Sequence, residues 1–266
     1  MSRKKQKEVK DQLASDLRSM ADILFEAGIL TDITPLQDAA NECAVGNPSE
    51  WGYWLVGMRI QATDYLPSYR NTIPYPVPNM LIEFNIRVEG DTLEQSCVED
   101  PIKLLEAEWQ ISSSKTHVTS WHLDRNQGNI DEECKHFAHP VYHFQFGGKH
   151  LHERGPDAYG QLLFVEPPRL AHPPMDAILA IDFTISNFLP DIWHDLRRRE
   201  SENEKVAQRA ERYVRILRAA QKRFWRPYAL AAAAHWMPAE KQNPIPFVRP
   251  ENLVGREVWP QIVGHI

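Results

Sequence analysis

Between residues 81 and 146 the chain alternates apolar and polar side chains again and again, and this period of two constrains the fold more than any other feature. Successive side chains of a strand point to opposite faces, so alternation marks a strand with one buried face and one polar face. In the segment 81–88, Ile82, Phe84, Ile86 and Val88 alternate with Glu83, Asn85 and Arg87. In 105–112, Leu105, Ala107, Trp109 and Ile111 alternate with Glu106, Glu108 and Gln110. A third strand is predicted over 117–124, where Trp121 and Leu123 oppose Ser120, His122 and Asp124. A fourth covers 141–146, with Tyr142, Phe144 and Phe146 opposing Val141, His143 and Gln145, and Gly147-Gly148 ends it. Residues 162–165 form a fifth, shorter candidate stopped by Pro167-Pro168. The connections are short and lack a helical crossover, which predicts an antiparallel meander.

Around this centre the period changes to that of helices. Val9, Leu13, Leu17, Met20 and Leu24 recur at spacings of three and four, predicting a helix over about Gln6 to Ala27 that Gly28 terminates. Residues 31–79 show no clear period, and Pro67, Pro74, Pro76 and Pro78 argue for extended or turning backbone in the second half. An apolar stretch over 175–189, bounded by Pro173-Pro174 and Pro190, reads as a buried helix. A long helix is expected over 202–225, its stripe formed by Val206, Ala210, Tyr213, Leu217, Ala220 and Phe224, with Pro227 ending or kinking it before 228–236. Together these elements predict one α+β domain over 1–266. It comprises an N-terminal amphipathic helix (1–30), a mainly antiparallel four- to five-stranded sheet (80–166), a C-terminal helical region (174–236) and an extended Pro-rich tail (237–266).

Composition narrows the setting. Of 266 residues, 42% are hydrophobic and 25% charged, which suits a globular chain and not a disordered one. No window approaches the run of about 18–20 apolar residues that spans a bilayer. The basic start of the chain is followed by an amphipathic segment where a secretory signal needs a continuous apolar one. Cys43, Cys97 and Cys134 are odd in number and widely separated, as expected of free thiols in the cytoplasm. The net charge of −6 conceals an asymmetry: residues 197–226 hold eleven Lys and Arg against four Glu, which leaves the rest at −13.

The polar sheet face gathers the residues suited to catalysis. If the strands pair as a meander, Arg87, Glu106, Glu108, His122, Asp124 and His143 project from one side. Imidazoles titrate near neutrality, carboxylates orient them, and an Arg holds an anion. The alternative is a polar face that meets only water. Histidines crowd the region from His117 to His152, among them His136, His139 and His143 at i, i+3 and i+7 and the pair His150 and His152. No spacing matches an established metal motif, so neither metal nor other cofactor is expected, and purified protein should carry metal below stoichiometry. Asp182, inside an apolar run, is expected to be a buried link to a cation such as Arg169 or to backbone amides.

On the long helix, Arg209, Arg212, Arg215, Arg218 and Lys222 fall opposite the apolar stripe, a basic face suited to a partner. Phosphate-loop, dinucleotide-fold, serine-hydrolase and zinc-finger signatures are missing from the sequence. Two functions follow as expectations. The first is a non-enzymatic binding subunit of a larger intracellular assembly, docking a protein, or alternatively nucleic acid, through the basic helix, with no membrane. The second is a metal-independent hydrolase or nuclease-like enzyme using His122 and His143, oriented by Glu108 or Asp124, with Arg87 on a phosphate.

Overall fold

The computed structural model describes residues 3–62, 79–91, 100–113, 117–125, 142–147 and 170–229. Two helices open the chain, α1 (Arg3–Glu26) and α2 (Thr34–Ala44). Six strands follow: β1 (Glu50–Ala62), β2 (Met80–Asp91), β3 (Ile102–Ser113), β4 (His117–Arg125), β5 (Tyr142–Phe146) and the two-residue β6 (Leu170–Ala171). Helices α3 (Ala177–Phe188), α4 (Pro190–Arg197) and α5 (Glu204–Ala220) come next, and α5 runs on through a π-turn at Gln221–Trp225. The strands form one sheet in sequence order, every pair antiparallel. The architecture is α+β, as the alternating segments predict. Among the described residues no helix is long and apolar enough to cross a membrane.

Cross-strand pairing puts apolar residues of neighbouring strands side by side. Phe84 faces Trp109, Ile86 faces Ala107 and Val88 faces Leu105, all buried. Trp109 anchors the centre: its indole N–H donates to Thr184 Oγ1 of α3 at 2.9 Å, and its ring lies against Phe84, Phe144 and Phe183. Helix α3 crosses this face. Its start meets β1, where the Ala177 amide donates to the Tyr53 hydroxyl at 3.0 Å, and Thr184 meets β3. Residues 177–181 are buried all round, because the sheet covers one side of α3 while α1, α4 and α5 also contact it.

Strand β1 lies in the stretch where the sequence shows no clear period, and the reason is a change of parity. Trp51, Tyr53 and Leu55 point into the core, and then Met58 and Ile60 do. A β-bulge at Val56-Gly57 absorbs the extra residue, both lying between the pairs Leu55–Ile86 and Met58–Phe84. Gly57 has φ +69°, and the Asn85 side chain accepts its N–H at 2.7 Å. The sheet therefore begins at residue 50, where the sequence reading began it at 80. Helix α2, also unread in the sequence, packs on both α1 and β1 and buries Leu36, Ala39, Ala40 and Cys43.

The helical layer carries buried charge. Arg223 pairs with Asp16 of α1, and the Lys10 ammonium donates to the carbonyls of Val45 and Asn47. Asp182 is the link expected of it, but its partner is Arg197 at 2.5 Å, joined by Trp193 Nε1 and the Tyr213 hydroxyl. Pro190 ends α3 yet starts α4, a helix missing from the sequence reading. The long helix deviates one turn before Pro227, as the π-turn, and helical backbone continues to residue 229. The candidate strand 162–165 and the Pro-rich tail 237–266 lie outside the described residues.

Asp176 caps α3 by accepting the Leu179 amide at 2.9 Å, and it is wholly buried. Burial pushes its carboxyl up to about 6. With the folded value above the unfolded one, ionisation opposes folding, so stability falls as pH rises from about 4 to about 6 and stays lowered above that. Asp176→Asn keeps the capping oxygen and removes the charge. It should match the wild type near pH 4 and exceed it at pH 7, by on the order of 2–3 kcal/mol in urea unfolding. Parallel pH profiles for the two proteins would show that Asp176 does not ionise at that cost.

Two glycines separate two kinds of backbone demand. A Cβ at Gly57 meets nothing within 4 Å, so Gly57→Ala should cost only the left-handed conformation, about 1–2 kcal/mol. A Cβ at Gly90 would lie 2.0 Å from the Pro101 carbonyl oxygen and 2.8 Å from the Trp51 ring. Gly90→Ala should therefore cost about 3 kcal/mol or more, because backbone must move. Equal losses in the two variants would contradict this distinction.

Candidate functional site

The sheet's other face is polar, and pairing arranges it in rows. One row runs Trp54, Arg87, Glu106, Asp124, His143; the next runs Asn85, Glu108, His122, Gln145. All six residues singled out in the sequence thus share this face. Exposure falls sharply along it. The Arg87 side chain is 48% exposed and that of Asp124 36%, whereas His122 retains 16% and His143 only 5%. Ser120, one step along β4 from His122 on the same face, is also buried. A simple solvated face accounts for β1 and β2 and fails at β4 and β5.

At that buried end three side chains converge. His122 and Asp124 stand two residues apart on β4, and His143 pairs directly with Asp124 from β5. His122 Nε2 lies 3.4 Å and His143 Nε2 3.9 Å from Asp124 Oδ2. The two imidazoles are nearly perpendicular, with ring centres 6.0 Å apart. Each of the three residues offers a ligand atom, and all these atoms lie within 4.8 Å of one another, so among the described residues they form a group that could hold a metal ion.

The backbone fixes the His122 ring. Gly147 follows β5, its amide donating to the Ser120 carbonyl at 2.8 Å, with φ +101°. Its own carbonyl lies 3.3 Å from His122 Nδ1. A carbonyl oxygen can only accept, so Nδ1 is the donor in this contact and Nε2 is the ring atom that faces Asp124. Burial is the main influence on Asp124 and raises its carboxyl to about 6; His122 opposes the rise, while Glu106 and Glu108 add to it. Two nitrogens and a carboxylate, flanked by two more carboxylates, form a site that favours a bound cation or a polarised water.

The remaining predicted residues are placed unevenly. Glu108 pairs with His122 and Glu106 with Asp124, one strand away from the cluster. Arg87 does not join them: Glu106 stands between it and Asp124 in the row, and Glu89 holds its guanidinium at 2.7 and 3.0 Å. The sequence reading missed Gly147, whose carbonyl orients His122, and the burial of Ser120; the glycine closing the strand was the one visible sign. His136, His139, His150 and His152 lie outside the described residues.

On α5 the basic residues divide. Arg209 and Arg212 do not point away from the protein as the helical wheel suggests. Arg209 donates to the Glu26 carbonyl at 3.1 Å, and Arg212 pairs with the Glu26 carboxylate, because α1 runs alongside. Arg215, Arg218 and Lys222 are exposed and make no ion pair among the described residues. Comparison of the chain with family models, with curated proteins and with solved structures gave no match.

Proposed function

We propose that the protein is a hydrolase that polarises a water molecule at His122, Asp124 and His143. The observation that carries this reading is the convergence of the three side chains at the buried end of an otherwise exposed polar face. Held on rigid, adjacent strands, they need little reorganisation to position a reactant. The substrate class follows from the charges. Glu106, Glu108 and Asp124 make the approach acidic and Arg87 is engaged by Glu89, so a neutral or cationic ester or amide suits the site better than a polyanion.

A panel of acyl esters, amides and phosphodiesters tests the reading. Hydrolysis of a member of the ester or amide set is expected. His122→Gln and Asp124→Asn should each lower the rate by about 10²–10⁴ while the fold, followed by circular dichroism, is kept. Turnover that survives both substitutions, or none with any substrate, would remove the proposal.

The exposed trio Arg215, Arg218 and Lys222 supports a second reading, in which the chain is a binding subunit that docks an acidic protein surface. Arg212, already paired with Glu26, is the wrong residue for testing it. Arg215→Glu/Arg218→Glu/Lys222→Glu should leave the melting temperature within a few degrees and abolish salt-sensitive association with an acidic partner protein. Unchanged association would refute the docking role, and selective loss of nucleic-acid binding would reassign it.

A further inference from the structure

We infer that His122, Asp124 and His143 form a site for one divalent first-row transition-metal ion, of the kind represented by Zn²⁺ or Fe²⁺. The inference deepens the hydrolase reading and rests on it for its chemistry, but the binding itself can be measured without any substrate.

Four observations converge. The first is ligand type: two imidazoles and one carboxylate are a common three-residue set for such ions, leaving coordination positions open for water or substrate. The second is spacing. Bonds of about 2.0–2.1 Å in tetrahedral geometry place ligand atoms about 3.4 Å apart. His122 Nε2 and Asp124 Oδ2 are separated by 3.4 Å, and His143 Nε2 and Asp124 Oδ2 by 3.9 Å. All three ligand atoms lie within 4.8 Å of one another, so closing onto an ion needs side-chain shifts of about an ångström.

The third observation is orientation. The Gly147 carbonyl is placed to accept a hydrogen bond from His122 Nδ1, which in the neutral ring directs the Nε2 lone pair into the site, the outer support that metal-bound histidines typically have. Gly147 is itself tied to Ser120 across the hairpin, so this support belongs to the sheet and not to a rotating side chain. The fourth is charge. Glu106 and Glu108 face Asp124 and His122 from β3, so the surroundings reward a cation beyond what the three ligands do.

The sequence hid this site because its ligands do not form a local motif. His122 and Asp124 share a strand face two residues apart, while His143 arrives nineteen residues after Asp124, in the register of a neighbouring strand. Bound there, an ion would act as a Lewis acid toward its water and strengthen the polarisation that the hydrolase reading assigns to these side chains.

Protein stripped with a chelator is titrated with Zn²⁺ by calorimetry and with Co²⁺ by visible absorption. One equivalent of each per chain should bind, Co²⁺ giving the d–d bands of a nitrogen–oxygen site, and Zn²⁺ should raise the melting temperature. His122→Gln and Asp124→Asn should weaken binding by about a hundredfold or more and abolish the thermal shift. Because the buried His143 is less safely replaced, these two variants carry the test, with circular dichroism confirming their fold. His136→Ala/His139→Ala, which leaves all three proposed ligands in place, should bind as wild type.

Failure to bind either ion, or binding that survives His122→Gln and Asp124→Asn, overturns the site; loss of binding in His136→Ala/His139→Ala does so as well. The two proposals fail separately. Stoichiometric metal with no hydrolysis leaves the site standing and removes the hydrolase, whereas hydrolysis by protein that binds no metal does the reverse.

Discussion

The register between β2, β3 and β4 is the constraint on which both the core and the candidate site depend. Side chains along a strand alternate strictly, so a slip of one residue exchanges the two faces. The pairing that lays Phe84 beside Trp109 and Ala107 beside Leu123 also brings Glu108 beside His122 and Glu106 beside Asp124. No separate force is needed to assemble the polar cluster. Burial of Ile82, Phe84, Ile86, Val88 and their neighbours supplies a stabilisation of about 25 cal/mol per Å² of apolar surface, and the cluster is carried along on the reverse side.

The helical layer resolves the chain's uneven charge in a similar way. The surplus of positive charge near the C-terminal helices is answered partly within the molecule, since α1 lies beside α5 with Asp16 opposite Arg223 and Glu26 opposite Arg212. The Arg223–Asp16 pair is almost fully enclosed, and removing one member would leave the other charge stranded. These pairs fix how α1 and α5 sit against each other, while hydrophobic burial fixes that they meet at all. The charge asymmetry is therefore in part a property of helix packing, and among the described residues Arg215, Arg218 and Lys222 are exposed basic groups outside that account.

How much of this was legible in the sequence depended on whether the information was local. Strands β2 to β5 declared themselves because alternation is written along each strand. Strand β1 did not, since Val56-Gly57 shifts its apolar positions from odd to even numbers and the two halves cancel any single period. Helix α2 has eleven residues, too few for a convincing stripe. For the site, alternation told which side chains share a face but not how deep each one lies, because depth depends on what covers the face. Arg87 illustrates the point: its outward direction was readable, while its capture by Glu89 on the same strand face was overlooked. The partner of Asp182 was likewise a question of tertiary structure, and Arg197 answered it in place of Arg169.

The bulge at Val56-Gly57 also bears on how the protein behaves in a crowded solution. Among the described residues β1 is an outer strand, and it shows Trp54 and Val56 more than half exposed. A long edge strand with exposed apolar side chains invites another chain to add itself as the next strand. Here the bulge bends the edge halfway along, and the Glu42 carboxylate occupies the Trp54 amide at 2.8 Å. An incoming strand would lose its register at the bulge and meet a negative charge before it. The same residue that lets the strand change parity thus protects the folded molecule from seeding aggregates of its own copies.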